Sequence, residues 1–278
     1  MSLLKALRRD PAEVVRALQE VGYLAIERAL PAEAADGLLA DVDDLEVRVN
    51  QNAPPNVVHR GATYATHVLA RSQTAFDIVT AAEVTGILRA GFGEVFSLAG
   101  KRVYETRGGK YMCFHRDTAR EISDPGQLDS IVFIFYLNDV DEGEWQFVEG
   151  SHRWTEPFEP SREQDDALLA RPDLAVRGFK MPKGSLVIYN GRLLHRAKPY
   201  ASDAFARRSF FFQVNRGPKK GEPILVETGF LRPDLSEDAK MLLGFGRPPR
   251  VPAFPPSSDV HLPQASRRLA EEQIRAPV

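Results

Sequence analysis

Cysteine is nearly missing from this chain of 278 residues: Cys113 is the only one. That excludes an intramolecular disulfide framework and a cysteine-rich zinc site, and it fits a reducing compartment, so a cytoplasmic setting is expected. An excess of charge of either sign is also missing. A formal net charge of -2 leaves no footprint for nucleic acid or an anionic membrane surface. No apolar run is long enough to span a bilayer. The leucines of "MSLLKALRRDPAEVVRALQEVGYLAI" are interrupted by Lys5, Arg8, Arg9 and Asp10, so neither a signal segment nor an anchor is read there. Repeats are absent as well. What remains, 43% hydrophobic and 27% charged, is the composition of an ordinary globular protein. The length suffices for one full β core with flanking helices. The expected partner is a small-molecule substrate, with no nucleic acid and no membrane, and it has to be argued from a site.

Along the chain, Asp10 caps and Pro11 opens a helix that carries Val14, Val15, Leu18 and Val21 at helical spacing and ends at Gly22. "GYLAIERAL" reads as a short strand, and Pro31 opens a second helix with Leu38, Leu39, Val42 and Leu45 on one face. The polar stretch "NQNAPPNVVHRGATYATHVLARS", which holds His59, Tyr64 and His67, reads as a loop over a pocket. "AFDIVTAAEVTGILRAGFG" returns to helical spacing. From about Lys101 the texture changes to short β-like runs separated by "RGG", "DPGQ", "DEGE" and "PKG". Many short strands with few helices between them predict an antiparallel sandwich or barrel. "EPFEPSREQDDALLARPDLAVR" reads as an insertion with one short helix, and the proline-rich stretch after Arg216 as a wrap with little regular structure. The expected organisation is a single domain over 1–278, with a helical flank (1–100), a β core (101–216) and a C-terminal wrap (217–278).

In "KYMCFHRDTARE", His115 and Asp117 lie two residues apart. On a strand, period-two alternation turns both to one face and Arg116 to the other. Such a pair is weak evidence alone, and a third donor in the right context raises it. His195, in "GSLVIYNGRLLHRAKPY", belongs to what should be another strand of the same β unit. Two histidines and one carboxylate form the facial triad that holds Fe(II) and leaves three positions for a chelating cosubstrate and dioxygen. Catalytic zinc usually leaves one. Further on, "ARRSFFFQVN" puts Arg207, Ser209, Phe211 and Gln213 on one face and Arg208, Phe210, Phe212 and Val214 on the other. Arg207 and Ser209 together offer a guanidinium fork and a hydroxyl to one carboxylate, the anchor a dicarboxylate cosubstrate requires. His152, after a Gly-Ser turn, reads as a turn-fixing residue, and Cys113 as a small packed one. Tyr104, Tyr111 and Trp145 read as core or pocket wall. Candidates for substrate contact are His67, Tyr64, Arg116 and Arg102, against the plainer reading of solvated surface.

In this order "HRD" (115 to 117), "FVEGSHRW" (147 to 154), "KGSLVIYNGRLLHRA" (183 to 197) and "RRSFFFQVN", with "EVGYLAIERAL" near the N-terminus, resemble the phytanoyl-CoA dioxygenase-like branch of the Fe(II)/2-oxoglutarate-dependent oxygenases. Matching pieces run from Asp10 to Arg216. The resemblance implies a mainly β fold with flanking helices, a double-stranded β-helix of the cupin-like jelly-roll kind. It implies His115, Asp117 and His195 as Fe(II) ligands, Arg207 with Ser209 on the distal carboxylate of 2-oxoglutarate, and O2 as the other cosubstrate. The implied reaction hydroxylates an unactivated C–H bond of a natural-product intermediate, amino-acid derivative or acyl compound, releasing succinate and CO2. Desaturation and ring formation are branches. Arg116 stands where many members carry Gln, and Ala197 where many carry Ser. Halogenating relatives lack the carboxylate ligand, so Asp117 disfavours that chemistry. The alternative is a non-redox cupin-like isomerase or hydrolase on the same ligands, which would have no use for Arg207 and Ser209.

Overall fold

The computed structural model describes residues 3–42, 56–59, 62–65, 67–93, 95–108, 111–118, 126–202, 204–218 and 224–245. The side chains of His59 and Tyr64, and the stretch 246–278 with His261, lie outside the described residues. The N-terminal helix α1 (Pro11–Glu20) starts as its sequence dictates: the Asp10 carboxylate accepts the Ala12 N–H at 3.0 Å, and Val14, Val15 and Leu18 are buried. Strand β1 (Tyr23–Ile26) follows, then α2 (Ala32–Val42), whose first turn donates to the Pro31 carbonyl from Ala34 and Ala35. The next helical stretch divides into α3 (Gln73–Val79) and α4 (Ala82–Phe92). The break falls where the Thr80 hydroxyl donates to the Phe76 carbonyl at 2.8 Å and Ala81 turns extended at ψ 142°.

The remaining strands are β2 (Asn56–His59), β3 (Ala62–Ala65), β4 (Phe96–Arg107), β5 (Ser130–Tyr136), β6 (Trp145–Val148), β7 (Val176–Phe179), β8 (Leu186–Asn190), β9 (His195–Ala197) and β10 (Ala206–Arg216). They form a seven-stranded antiparallel sheet in the order β1-β8-β5-β10-β4-β3-β2 and a three-stranded one in the order β7-β6-β9. On one face of the large sheet, Phe133, Phe135, Ile188, Phe210 and Phe212 pack into a core shared with the helices. On the other, Val132, Ile134, Tyr136, Val187, Tyr189 and Phe211 meet Trp145 and Phe147 of the small sheet. Both faces of β5 are therefore buried, which is why "SIVFIFY" reads as an unbroken apolar run. Two facing antiparallel sheets with helices outside the larger one make the expected jelly roll.

Three local expectations need correction. The polar stretch read as a loop contains β2 and β3; β3 pairs with the edge of β4 from Ala62↔Thr106 to Ala65↔Val103, so an available sheet edge, not hydrophobic alternation, makes it a strand. Residues 111–118 are no regular strand: His115 forms only an isolated bridge to His195. Within the expected wrap, Ser236 caps a helix, α6 (Glu237–Leu242), that buries Ala239 and Leu242. The insertion holds one short helix as expected, α5 (Arg162–Leu169). No helix among the described residues is long and apolar enough to cross a membrane.

Candidate metal centre

His195 opens β9, and His115 is bridged to it by backbone hydrogen bonds of 3.0 and 3.1 Å. Two residues on, the Asp117 and Thr118 N–H groups donate to the Gly191 carbonyl at 2.9 and 3.1 Å, so the turn between β8 and β9 holds the Asp117 backbone. A Cβ on Gly191 would lie 1.8 Å from Ser130 Oγ and 2.9 Å from Thr118 Oγ1, so any larger residue in that turn would have to displace both hydroxyls. One donor atom from each of His115, Asp117 and His195 lies within 4.8 Å of the others. His195 Nε2 is 3.4 Å from Asp117 Oδ2, and His115 Nε2 is 4.0 Å from Asp117 Oδ1. Octahedral bonds of about 2.1 Å put neighbouring donors about 3 Å apart, so a small inward movement suits this set to a divalent ion.

The histidines are also in the required tautomer. His115 Nδ1 lies 2.9 Å from the Cys113 carbonyl and His195 Nδ1 2.9 Å from the Leu193 carbonyl. A carbonyl only accepts, so each Nδ1 carries the proton and each Nε2 keeps a lone pair toward Asp117. Burial pulls the His195 pKa down to about 4, against the Asp117 charge, which raises it. His195 is thus neutral at neutral pH. Tyr189, on β8, completes the cluster: its hydroxyl donates to Asp117 Oδ2 at 2.6 Å and lies 3.1 Å from His195 Nε2. Burial, reinforced by the Asp117 charge, raises the pKa of this phenol well above its ordinary value and keeps it protonated.

Beside the donor set lies a group of buried polar atoms on the same sheet face. Ser209 sits opposite Tyr104 of β4 and Tyr136 of β5, and Arg207 is one pleat away. Arg207 is 2% exposed, and its Nη1 donates to the Gly143 carbonyl at 2.6 Å. Arg208, on the other side, pairs with Glu105 at 2.9 Å and is half-exposed. The alternation expected for β10 therefore holds at these residues. Tyr136 Oη, Arg207 Nε and Ser209 Oγ are buried and make no hydrogen bond of normal geometry within the protein. Folded proteins leave few such atoms unpaired, so three together mark a place shaped for a polar ligand. Burial raises the Tyr136 pKa well above its ordinary range despite the opposing Arg207 charge, so this phenol too is a donor. Sequence reasoning missed Tyr136. The available signal was a hydroxyl ending an otherwise apolar strand.

One cavity is lined by His115, Asp117, His195 and Arg207, with Tyr104, Ile134, Trp145, Tyr189 and Phe211 as walls. Of the substrate candidates, Arg102 lines it too, its guanidinium 5.3 Å from the centre of the Phe211 ring. Arg116 turns away and donates to the carbonyls of Glu156 at 3.1 Å and Trp154 at 3.3 Å, tying down the chain after β6. His67 does not line the cavity; it precedes the short helical turn Val68–Ala70 at φ 54°. Tyr64 pairs through its backbone with Tyr104. His152 is not in the His115, Asp117 and His195 cluster: its Nε2 reaches the Gln19 carbonyl at 3.0 Å and its ring packs on Gly22, so it ties its turn to the end of α1, while within the turn it is Ser151 Oγ that donates to the Val148 carbonyl at 2.7 Å. A second group was missed. Asp165 of α5, fully buried, accepts from Arg196 Nη1 at 2.9 Å, the Tyr111 hydroxyl at 2.7 Å and the Phe114 N–H at 3.0 Å. The inserted helix thereby pins the residue before His115.

The family model phytanoyl-CoA dioxygenase (PhyH) matches residues 18–209. HygX from Streptomyces hygroscopicus, in a crystal structure with nickel, 2-oxoglutarate and hygromycin B bound, is 15% identical, with a TM-score of 0.57 over 73% of this chain and 86% of that one. The epimerase SnoN, in complex with Fe3+, alpha-ketoglutarate and nogalamycin RO, is 17% identical, with a TM-score of 0.56 over 74% of this chain and 83% of that one. The carbocyclase SnoK from nogalamycin biosynthesis is 21% identical, with a TM-score of 0.55 over 73% and 83%. At these identities the likeness is one of fold. No curated protein matches the chain.

Proposed function

This chain belongs to the phytanoyl-CoA dioxygenase family, whose members use Fe(II), 2-oxoglutarate and O2, and we propose that it hydroxylates an unactivated C–H bond of a small molecule. His115, Asp117 and His195 are the metal ligands in this reading, and Arg207, Ser209 and Tyr136 bind the distal carboxylate of 2-oxoglutarate. The observation that carries it is the meeting, between the two facing sheets, of a neutral-histidine and carboxylate donor set with three buried polar atoms that find no hydrogen bond of normal geometry within the protein. When bound, the iron supplies the oxidising chemistry: one O2 and one 2-oxoglutarate are consumed per C–H bond hydroxylated, giving succinate and CO2.

The chain's own groups divide the remaining work. Asp117 offsets one unit of the dication's charge, while the two imidazoles bind without adding any. Arg207 meets the cosubstrate's distal carboxylate through its guanidinium fork, with two charge-assisted hydrogen bonds in a site from which water is largely excluded. Ser209 and Tyr136 donate to the same group. Ile134, Trp145 and Phe211 give the cavity apolar walls, which favour an uncharged C–H region of the substrate near the metal. Arg102 at the same cavity suits a substrate that carries an anionic or strongly polar group. A non-redox isomerase or hydrolase would leave the Arg207 cradle without a role. The epimerase and carbocyclase among the structural neighbours make product analysis part of the test.

Mixed anaerobically, protein, Fe(II) and 2-oxoglutarate should give a weak visible metal-to-ligand charge-transfer band, and His115→Ala should abolish it. A wild-type protein without the band at saturating cosubstrate would overturn this reading. Succinate release screened over candidate small molecules, with mass analysis for an added oxygen atom, then separates hydroxylation from desaturation, epimerisation and ring closure.

A further inference from the structure

Tyr189 has no part in the reading so far, yet its hydroxyl is 2.6 Å from Asp117 Oδ2 and 3.1 Å from His195 Nε2. The ring is locked in place. It stacks obliquely against Trp145, with centroids 5.1 Å apart, and against His195, at 4.7 Å, while its backbone pairs with Tyr23 and Val132 on either side. A phenol has one proton to give. His195 Nε2 is needed as a lone-pair donor, so the proton goes to the charged acceptor, Asp117 Oδ2. That leaves Oδ1 as the carboxylate oxygen turned toward His115 Nε2.

We propose that Tyr189 is the positioning residue of the metal centre: by holding Asp117 Oδ2 it keeps the carboxylate bound through a single oxygen. The consequence is a matter of counting. An octahedral ion with two imidazoles and one carboxylate oxygen has three positions left, two for a chelating 2-oxo acid and one for O2. A carboxylate free to rotate and bind through both oxygens would occupy one of those three. The phenol keeps that position open without touching the ion. This inference rests on the proposed assignment of His115, Asp117 and His195 as ligands.

Tyr189→Phe removes the donor and keeps the ring, so packing is preserved and a cooperative thermal melt verifies the fold. Metal-free protein is titrated anaerobically with Fe(II) in the presence of 2-oxoglutarate, and the charge-transfer band is followed. Loss of a hydrogen bond that orients a metal ligand typically weakens metal binding about 10- to 100-fold. We expect that loss for Tyr189→Phe, with a displaced band maximum. Unchanged Fe(II) affinity and band position in a folded variant would overturn the inference, making Tyr189 merely a buried tyrosine, while leaving the metal-site reading intact. A wild-type protein that forms no band overturns the reading and the inference together. A second measurement needs no variant: oxidised to the ferric state, the wild type should lack the intense visible band of a tyrosinate ligand. Its appearance would make Tyr189 a ligand and refute the positioning role.

Discussion

Replacing Arg207 by methionine separates the proposed cosubstrate anchor from its neighbour. Without cosubstrate, the Arg207 guanidinium is a buried charge, 2% exposed, that donates to the Gly143 carbonyl. Two charge-assisted bonds to a carboxylate contribute about 1.5–3 kcal/mol each. Their loss, taken as about 3–5 kcal/mol, weakens 2-oxoglutarate binding between about 100-fold and several thousand-fold. Arg208→Met removes a half-exposed pair with Glu105, worth at most about 1 kcal/mol of stability, and should leave 2-oxoglutarate affinity within about twofold. The assay is thermal unfolding with a redox-inert divalent metal, with and without 2-oxoglutarate. At 100 times its Kd the cosubstrate stabilises by about 2.7 kcal/mol, a shift of roughly 4–6 °C for a chain of this size. The wild type and Arg208→Met should show that shift. Arg207→Met should not, yet its melting temperature without cosubstrate should equal or exceed the wild-type value, because an uncompensated buried charge has been replaced by a thioether. If Arg207→Met keeps the shift, or Arg208→Met loses it, the cradle is on the other face of β10 and the assignment fails.

Asp165→Ala should be among the most damaging single changes outside the metal site. It leaves Arg196 buried without its countercharge and the Phe114 N–H without its acceptor, an effect of about 3–5 kcal/mol in urea unfolding; a loss below about 1 kcal/mol would show that the α5 insertion does not brace the His115 segment. Metal-free protein should also lose stability in acid. The unfolded chain protonates His195 near pH 6.5 and the folded one only near 4, so in that window the unfolded state holds more protons and stability falls as pH drops. At about 1.36 kcal/mol per pKa unit the full loss is about 3 kcal/mol, complete near pH 4. Buried His152, whose pKa is also lowered chiefly by burial, acts in the same direction. Urea unfolding of His195→Asn at pH 7, 5.5 and 4.5 should show a shallower dependence than wild type, and an equal slope would rule out His195 as its source.

What the sequence determined by itself follows rules that act over a few residues. Asp10 and Pro11 begin α1 because the cap is local. Alternation along "ARRSFFFQVN" puts Arg207 and Ser209 together and sends Arg208 to the opposite side. The two-residue spacing of His115 and Asp117 turned both toward His195 even though their segment forms one bridge and no regular strand. Tertiary structure decided what depends on partners far away in the chain. β3 became a strand because β4 offered it an edge, and no pattern within its own four residues required that. Asp165 meets Arg196 across 31 residues, and Tyr189 meets Asp117 across 72. In "SIVFIFY" and "LVIYN" the tyrosines look like further apolar core, since both strands are buried on both faces. Only the pairing of β5 with β10 shows that Tyr136 ends beside Arg207, and only the closing of the small sheet over the large one brings Tyr189 to Asp117 and His195. A hydroxyl's function is set by the group it meets, and these groups come from distant segments of the chain.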